Sequence, residues 1–237
     1  MTKPAATARP LGEIAVTPRS LSEYRDMFLL TDADLTAGPI LDCPAGASPF
    51  GAQVRARVGA AVVSVDPAYH APREEIVTRS QRDLARIAEW MAAYPDNFDW
   101  SYLGSPGACI QGWEVASDLF AADYMPDGER YVAAALPTLP FPDGHFRLTL
   151  SSHLLFVYPD HLTFDDHVGG LLELVRVTRG EVRLFPLVST DSTVYPRLEE
   201  VRTALAERGV RTEIRIAACA YQPGANHMIA CWRGQTA

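Results

Sequence analysis

Residues 40–66 constrain this chain more than any other stretch. Ile40-Leu41-Asp42 is an apolar run ending in an acid, Cys43 to Pro49 is a turn of small residues and prolines, and Ala61-Val62-Val63-Ser64-Val65 is a second apolar run ending in Asp66. Short continuous apolar runs bounded by turn residues read as strands buried on both faces. The residues between them are enough for a loop and a crossover helix, so the segment reads as strand, loop, helix, strand in an α/β sheet.

A buried parallel strand delivers its last residues to the carboxyl edge of the sheet, where the loop and the next helix can meet a ligand. Gly46 and Ser48 keep that loop free of bulk. The Asp66 carboxylate can accept hydrogen bonds from both hydroxyls of a ribose, and it disfavours a phosphate at the same spot. Pro44 and Pro49 weaken a dinucleotide reading, because a pyrophosphate needs loop N–H donors that proline lacks. Taken alone, the loop also fits an ordinary strand-to-helix turn.

A chain of 237 residues suits one large α/β domain. Its net charge of −8, with basic residues scattered among acids, argues against a nucleic-acid footprint and for small substrates. Cys43, Cys109, Cys219 and Cys231 have no paired spacing, so neither a zinc knuckle nor a disulfide framework is expected. The start, Met1 to Thr7, has no apolar segment, and no later run is long and uncharged enough to cross a bilayer, so the expected location is cytoplasmic.

Residues 1–17 read as a flexible lead. Ser20-Leu21-Ser22-Glu23 reads as a capping box opening a helix with Leu21, Tyr24, Met27 and Phe28 on one side. A helix is expected over Arg73 to Tyr94, broken at Pro95, and another over Trp113 to Tyr124, so that residues 95–128 form a helical insertion. Further strands are expected at Arg130–Ala135, Phe146–Ser152, Glu181–Leu187, Thr212–Ile216 and His227–Trp232, the last antiparallel. Helices are expected over Leu171–Val177, stopped by Gly180, and over Arg197–Arg208.

The run from Asp42 to Ser48, followed by Asp66, resembles motif I and the acidic motif II of class I, Rossmann-like S-adenosylmethionine-dependent methyltransferases. That family's three glycine places here read Pro44, Gly46 and Ser48. The phrase Leu139-Pro140-Phe141-Pro142-Asp143-Gly144, which leads into Phe146–Ser152, resembles the family's approach to its central fourth strand. The likeness covers Ile40 to Trp232. It extends to uncharacterised bacterial members through Ser152-His153-Leu154-Leu155-Phe156 and Gly224-Ala225-Asn226-His227-Met228.

The resemblance implies a Rossmann-like, seven-stranded, mostly parallel sheet with helices on both faces and an antiparallel last strand. It implies a single domain over 18–237 under an N-terminal cover helix, with S-adenosylmethionine as cofactor. The cofactor residues implied are Asp42, Cys43, Pro44, Ala45, Gly46, Ser48, Asp66, Pro67, Leu136 and Ser151. Ala135 stands where the family often has an acid for the adenine amino group, which leaves adenine to backbone near Leu136 and to apolar stacking. Arg147 likewise replaces an acid.

The end of the fourth strand faces the transferred methyl group in that family, which puts Ser151, Ser152 and His153 at the point of reaction. His153 is the expected general base or acceptor-orienting group, because an imidazole titrates near neutrality. Tyr24, His153 and Tyr158 are expected to hold the acceptor, and Arg19 is within reach of it or of the cofactor's carboxylate. Asp165, Asp166 and His167 read as the first turn of a helix rather than as metal ligands, and no metal is assigned. The expected activity is methyl transfer to a small-molecule acceptor, with no nucleic-acid or membrane partner and with a homodimer allowed. A catalytically inactive, cofactor-binding regulatory module is the alternative, and a nucleotide-dependent oxidoreductase is a third reading.

Overall fold

The computed structural model describes residues 11–126 and 128–234. Seven strands form one sheet in the order β3-β2-β1-β4-β5-β7-β6. They are β1 (Ile40–Asp42), β2 (Val62–Val65), β3 (Tyr131–Val132), β4 (Phe146–Ser152), β5 (Thr178–Phe185), β6 (Val210–Ile216) and β7 (His227–Arg233). The first five run parallel, and β7 lies antiparallel between β5 and β6. This is the expected α/β class, with its antiparallel last strand.

The helices are α1 (Leu21–Phe28), α2 (Asp32–Thr36), α3 (Phe50–Val58), α4 (Arg73–Ala93), α5 (Trp100–Leu103), α6 (Pro106–Asp123), α7 (Phe164–Val177) and α8 (Leu198–Ala206). Strand side chains alternate between two cores, as a pleated sheet requires. Ile40 and Val62 pack with α1, α3, α4 and α6, whereas Leu41 and Val65 pack with α7 and α8. The chain therefore leaves β1 toward one face and β4 toward the other, and adjacent strands whose connections part in this way open a crevice at their carboxyl ends.

Three local features depart from expectation. Gly180 does not stop α7; the chain passes straight from Val177 into β5, and Gly180 lies within that strand. A Cβ there would collide with the Arg147 carbonyl, where the β4–β5 register shifts between Phe146 and Leu148. The third strand is only two residues long, and residues 133–138 turn back on themselves through an Ala135–Thr138 bridge.

The expected flexible lead falls partly outside the described residues, since nothing is described before Leu11. Residues 11–17 run as an irregular strap held to α4. The Val16 N–H donates to Asp83 Oδ2 (2.9 Å), and Arg86 donates to the carbonyls of Leu11 (2.9 Å) and Glu13 (3.0 and 3.1 Å). Asp83 is buried, and Arg82 and Arg86 lie against its other oxygen.

Candidate active site

A cavity of about 250 Å³ lies at the carboxyl ends of β1, β2 and β4. Cys43, Pro44, Ala45, Gly46 and Ser48 line one side of it, and Asp66 and Pro67 line the β2 edge. Leu136, Pro137, Leu155 and Leu162 make apolar walls. The strap from Ile14 to Thr17, together with Arg19, completes the lining.

The loop has little to offer a phosphate. Cys43 N–H donates to the Leu150 carbonyl, Ala45 to Val65, Ala47 to Thr17 and Ser48 to Ala45, while Gly46 N–H donates to Asp66 Oδ2 at 3.0 Å. Pro44 and Pro49 have no N–H. Every backbone N–H of residues 43–48 is thus spent inside the protein, which removes the cradle of loop amides that a pyrophosphate needs.

Asp66 ends β2 with its carboxylate at the cavity. Oδ2 takes the Gly46 N–H, and Oδ1 takes the Ala68 N–H at 2.9 Å, capping the short 3₁₀ turn Pro67–His70. Each oxygen keeps a further acceptor site for a ligand hydroxyl. Burial raises the carboxyl's pKa, and the two backbone donors act against that rise.

Asp42 sits deeper. It is fully buried and does not line the cavity; its two oxygens accept the Tyr24 hydroxyl at 2.8 and 3.0 Å. Burial pushes Asp42 well above the usual carboxylate range, against the pull of the Tyr24 bond. Tyr24 lines the cavity and stacks on Phe50, with ring centroids 4.2 Å apart. Asp42 therefore meets the cavity only through Tyr24, whose ring lines it.

The role expected for Gly46 changes. Its φ of 55° is in the left-handed region, and a Cβ would sit 2.7 Å from the Thr17 carbonyl oxygen. The missing side chain makes room for the protein's own strap. Ser48 Oγ likewise accepts the Arg19 N–H at 3.0 Å, so both small residues fix the strap over the loop.

At the end of β4, Ser152 and His153 line the cavity, but Ser151 does not; its hydroxyl is buried, without a partner among the described residues. His153 has a left-handed φ of 53°, a sparsely populated conformation for a residue with a side chain. Its Nδ1 is 2.7 Å from Ser152 Oγ, and its ring meets Phe185 and Tyr221 edge-on. Burial holds its pKa well below the ordinary histidine value, and the nearby Arg19 charge adds to the effect. The imidazole is therefore neutral at pH 7.

Tyr158 does not reach this cavity. Its hydroxyl accepts the Ala15 N–H at 3.3 Å, and its ring lines two neighbouring cavities. Asp166 caps α7 through Thr163, as the first-turn reading of 165–167 expects, and also borders the cavity. His167 stacks on Tyr195 in the core, and His161 reaches the Gly12 carbonyl. Among the described residues, no group of three His, Cys, Asp or Glu side chains is placed to hold a metal ion, and no helix is long and apolar enough to cross a membrane.

Sequence reasoning misses the strap, whose residues fall in the lead 1–17 that reads as flexible, and the Leu155–Leu162 wall. The hydrophobic Ile14-Ala15-Val16 triplet was the available signal.

No family model matches the chain. It is 28% identical over 180 residues to an uncharacterised protein of Methanocaldococcus jannaschii, covering 76% of this chain and 80% of that one. Among solved structures it is similar to the magnesium protoporphyrin IX methyltransferase of Synechocystis with bound S-adenosylhomocysteine, at 12% identity and a TM-score of 0.47 over 87% of this chain and 78% of that one. It is also similar to the 1,6-didemethyltoxoflavin-N1-methyltransferase of Burkholderia thailandensis, at 15% identity and a TM-score of 0.42, covering 83% and 71%. These likenesses are too remote to assign an acceptor. By its own strand order, antiparallel last strand and crevice between β1 and β4, the chain has the Rossmann-like α/β fold of class I methyltransferases.

Proposed function

We propose that the protein is an S-adenosylmethionine-dependent methyltransferase acting on a small molecule. The observation that carries this reading is the Asp66 carboxylate, set at the edge of a cavity of about 250 Å³ with apolar walls and a loop that has no backbone N–H left for phosphate. Such a site fits an adenosyl group joined to an amino acid better than any phosphorylated cofactor.

In this assignment Asp66 takes the two ribose hydroxyls. Leu136, Pro137, Leu155 and Leu162 enclose the base, and the backbone near Leu136 supplies its polar contacts in place of the acid that Ala135 lacks. When bound, the cofactor would supply a methyl group on a sulfonium as the electrophile for the acceptor's lone pair.

The protein's part is alignment, exclusion of water and removal of the acceptor's proton. The strap and the apolar walls line the cavity and leave little polar surface to hold water. Ser152 Oγ lies 2.7 Å from His153 Nδ1; in the tautomer that carries its proton on Nδ1, the ring donates to Ser152 Oγ and Nε2 keeps its lone pair. Nε2 is then the atom that receives the acceptor's proton.

Calorimetry with S-adenosylmethionine and S-adenosylhomocysteine tests the assignment, with saturable, near-stoichiometric binding of both expected. Absence of binding removes it. Binding without turnover on any acceptor would instead favour a regulatory module.

A further inference from the structure

A second chamber, of about 80 Å³, adjoins the first, and the two share Thr17, Arg19 and His153 in their walls. Five aromatic rings, Trp90, Phe98, Trp113, Tyr158 and Tyr221, stand in its other walls. Trp90 meets the edge of Phe98 with centroids 5.0 Å apart, and Trp113 lies near-parallel to Tyr221 at 6.4 Å.

Arg19 is 6% exposed, and its guanidinium lies 4.0 Å over the Trp113 ring and 5.1 Å from that of Tyr221. Arg19 lines both cavities, but these two rings border only the second, so the side of the guanidinium that meets them is turned to the second chamber. Nη1 donates to the Pro18 carbonyl at 2.6 Å, but the buried Nε has no hydrogen-bond partner among the described residues.

Glu23 is the nearest acid, with Oε1 3.8 Å from Nε, beyond hydrogen-bond reach. Its oxygens are already engaged. Oε1 accepts Trp113 Nε1 and the Tyr221 hydroxyl, both at 2.8 Å, and Oε2 accepts the Ser20 N–H and hydroxyl at 2.7 and 2.9 Å. Glu23, whose oxygens serve four neutral donors, lies beside Arg19 and leaves its Nε–H unused.

A buried guanidinium with an unused donor is best satisfied by a planar anion, and flat aromatic walls suit a ring. Glu23 limits the anion to one charge, since a second would face its carboxylate. Size limits the rest: a dry cavity that accepts benzene measures about 150 Å³. The smaller chamber thus takes the anionic group and part of one ring, and the remainder must extend past His153 into the first cavity.

We propose that the acceptor is a single-ring aromatic or heteroaromatic carboxylic acid, its carboxylate held by Arg19 and its ring set against Trp113, Tyr221 and His153. This geometry turns the far side of the ring toward His153. The acceptor role rests on the methyltransferase reading; the capture of the anion does not.

Calorimetry on the full chain, with and without S-adenosylhomocysteine, would compare 4-hydroxybenzoate and nicotinate with their neutral amides, and with phenyl phosphate and 6-hydroxy-2-naphthoate. Each acid is expected to bind at least tenfold tighter than its amide and than the two larger or dianionic probes. In Arg19→Gln the advantage of acid over amide is expected to vanish while S-adenosylhomocysteine affinity changes less than threefold, and Arg19→Lys should restore part of it. Equal binding of acid and amide to the unaltered protein overturns the proposal, and that comparison stands even if the variants do not fold. A tenfold loss of S-adenosylhomocysteine affinity in Arg19→Gln with acid binding intact also overturns it, by assigning the guanidinium to the cofactor. Binding of the acids without any binding of S-adenosylhomocysteine would uphold the anion site and sink the methyltransferase reading.

Discussion

Replacing Asp66 tests the cofactor assignment most directly. Its carboxylate holds the Gly46 and Ala68 N–H groups with one oxygen each. A hydrogen bond to a charged group contributes about 1.5–3 kcal/mol, so losing both in Asp66→Ala costs the fold about 3 kcal/mol or more. Cofactor affinity by itself would confuse that damage with a lost ligand contact. The cleaner measure is the ratio of dissociation constants for adenosine and 2′,3′-dideoxyadenosine, because loop damage weakens both alike. If both hydroxyls bond to Asp66, the same per-bond range predicts a ratio of about 10² to 10⁴ in the wild-type protein, falling to near one in Asp66→Ala. Because burial raises the Asp66 pKa, the wild-type ratio should also shrink as pH falls through that raised value and the carboxyl takes a proton. The stability sign is the reverse. An acid whose folded pKa is raised stabilises the fold most below its unfolded value of about 3.9, and that contribution is lost as pH rises through the folded pKa. A preference for the hydroxylated nucleoside that survives unchanged in Asp66→Ala would refute the assignment.

Three other outcomes are expected. Gly46→Ala should lower the melting temperature, since the left-handed φ costs about 1–2 kcal/mol with a side chain and the added Cβ meets the Thr17 carbonyl; the displaced strap should also speed the release of S-adenosylhomocysteine in stopped-flow measurements, and unchanged release would count against the strap as a cover. Tyr24→Phe removes the sole hydrogen-bond partner of the Asp42 side chain among the described residues, a loss of about 1–3 kcal/mol in urea titrations; it should be larger at pH 8 than at pH 5, because a carboxyl with a raised pKa is more often ionised at the higher pH. His153→Gln should lower turnover by about 10²- to 10⁴-fold with cofactor affinity unchanged. In the wild-type protein the acidic limb of kcat should fall below the ordinary histidine value of about 6.5.

Much of the fold was legible because it depends on short-range regularities. The runs at 40–42 and 62–65 read as buried parallel strands from their apolar continuity and the turn residues around them, and Ser20 with Glu23 announced the start of α1. Gly180 misled for a physical reason: a glycine after a helical stretch serves equally as a helix stop or as the place where another backbone comes close, and only the position of Arg147 distinguishes them. The site was legible in part. Asp66 and His153 could be named because strand ends deliver side chains to a known edge of a parallel sheet. Asp42, Ser151 and Tyr158 are strand-end or near-strand residues too, yet the direction of each side chain keeps it off the first cavity.

The chain's own residue order thus determined the sheet, its parallel sense and the edge where a ligand can bind, since hydrophobic periodicity and turn chemistry act between near neighbours. Only the tertiary structure decided what closes that edge. Thr17 meets Gly46 across 29 positions, Asp83 holds Val16 across 67, and Glu23 gathers Trp113 and Tyr221 across 90 and 198 around Arg19. Such contacts are set by packing of distant segments against one another, and no local pattern encodes them.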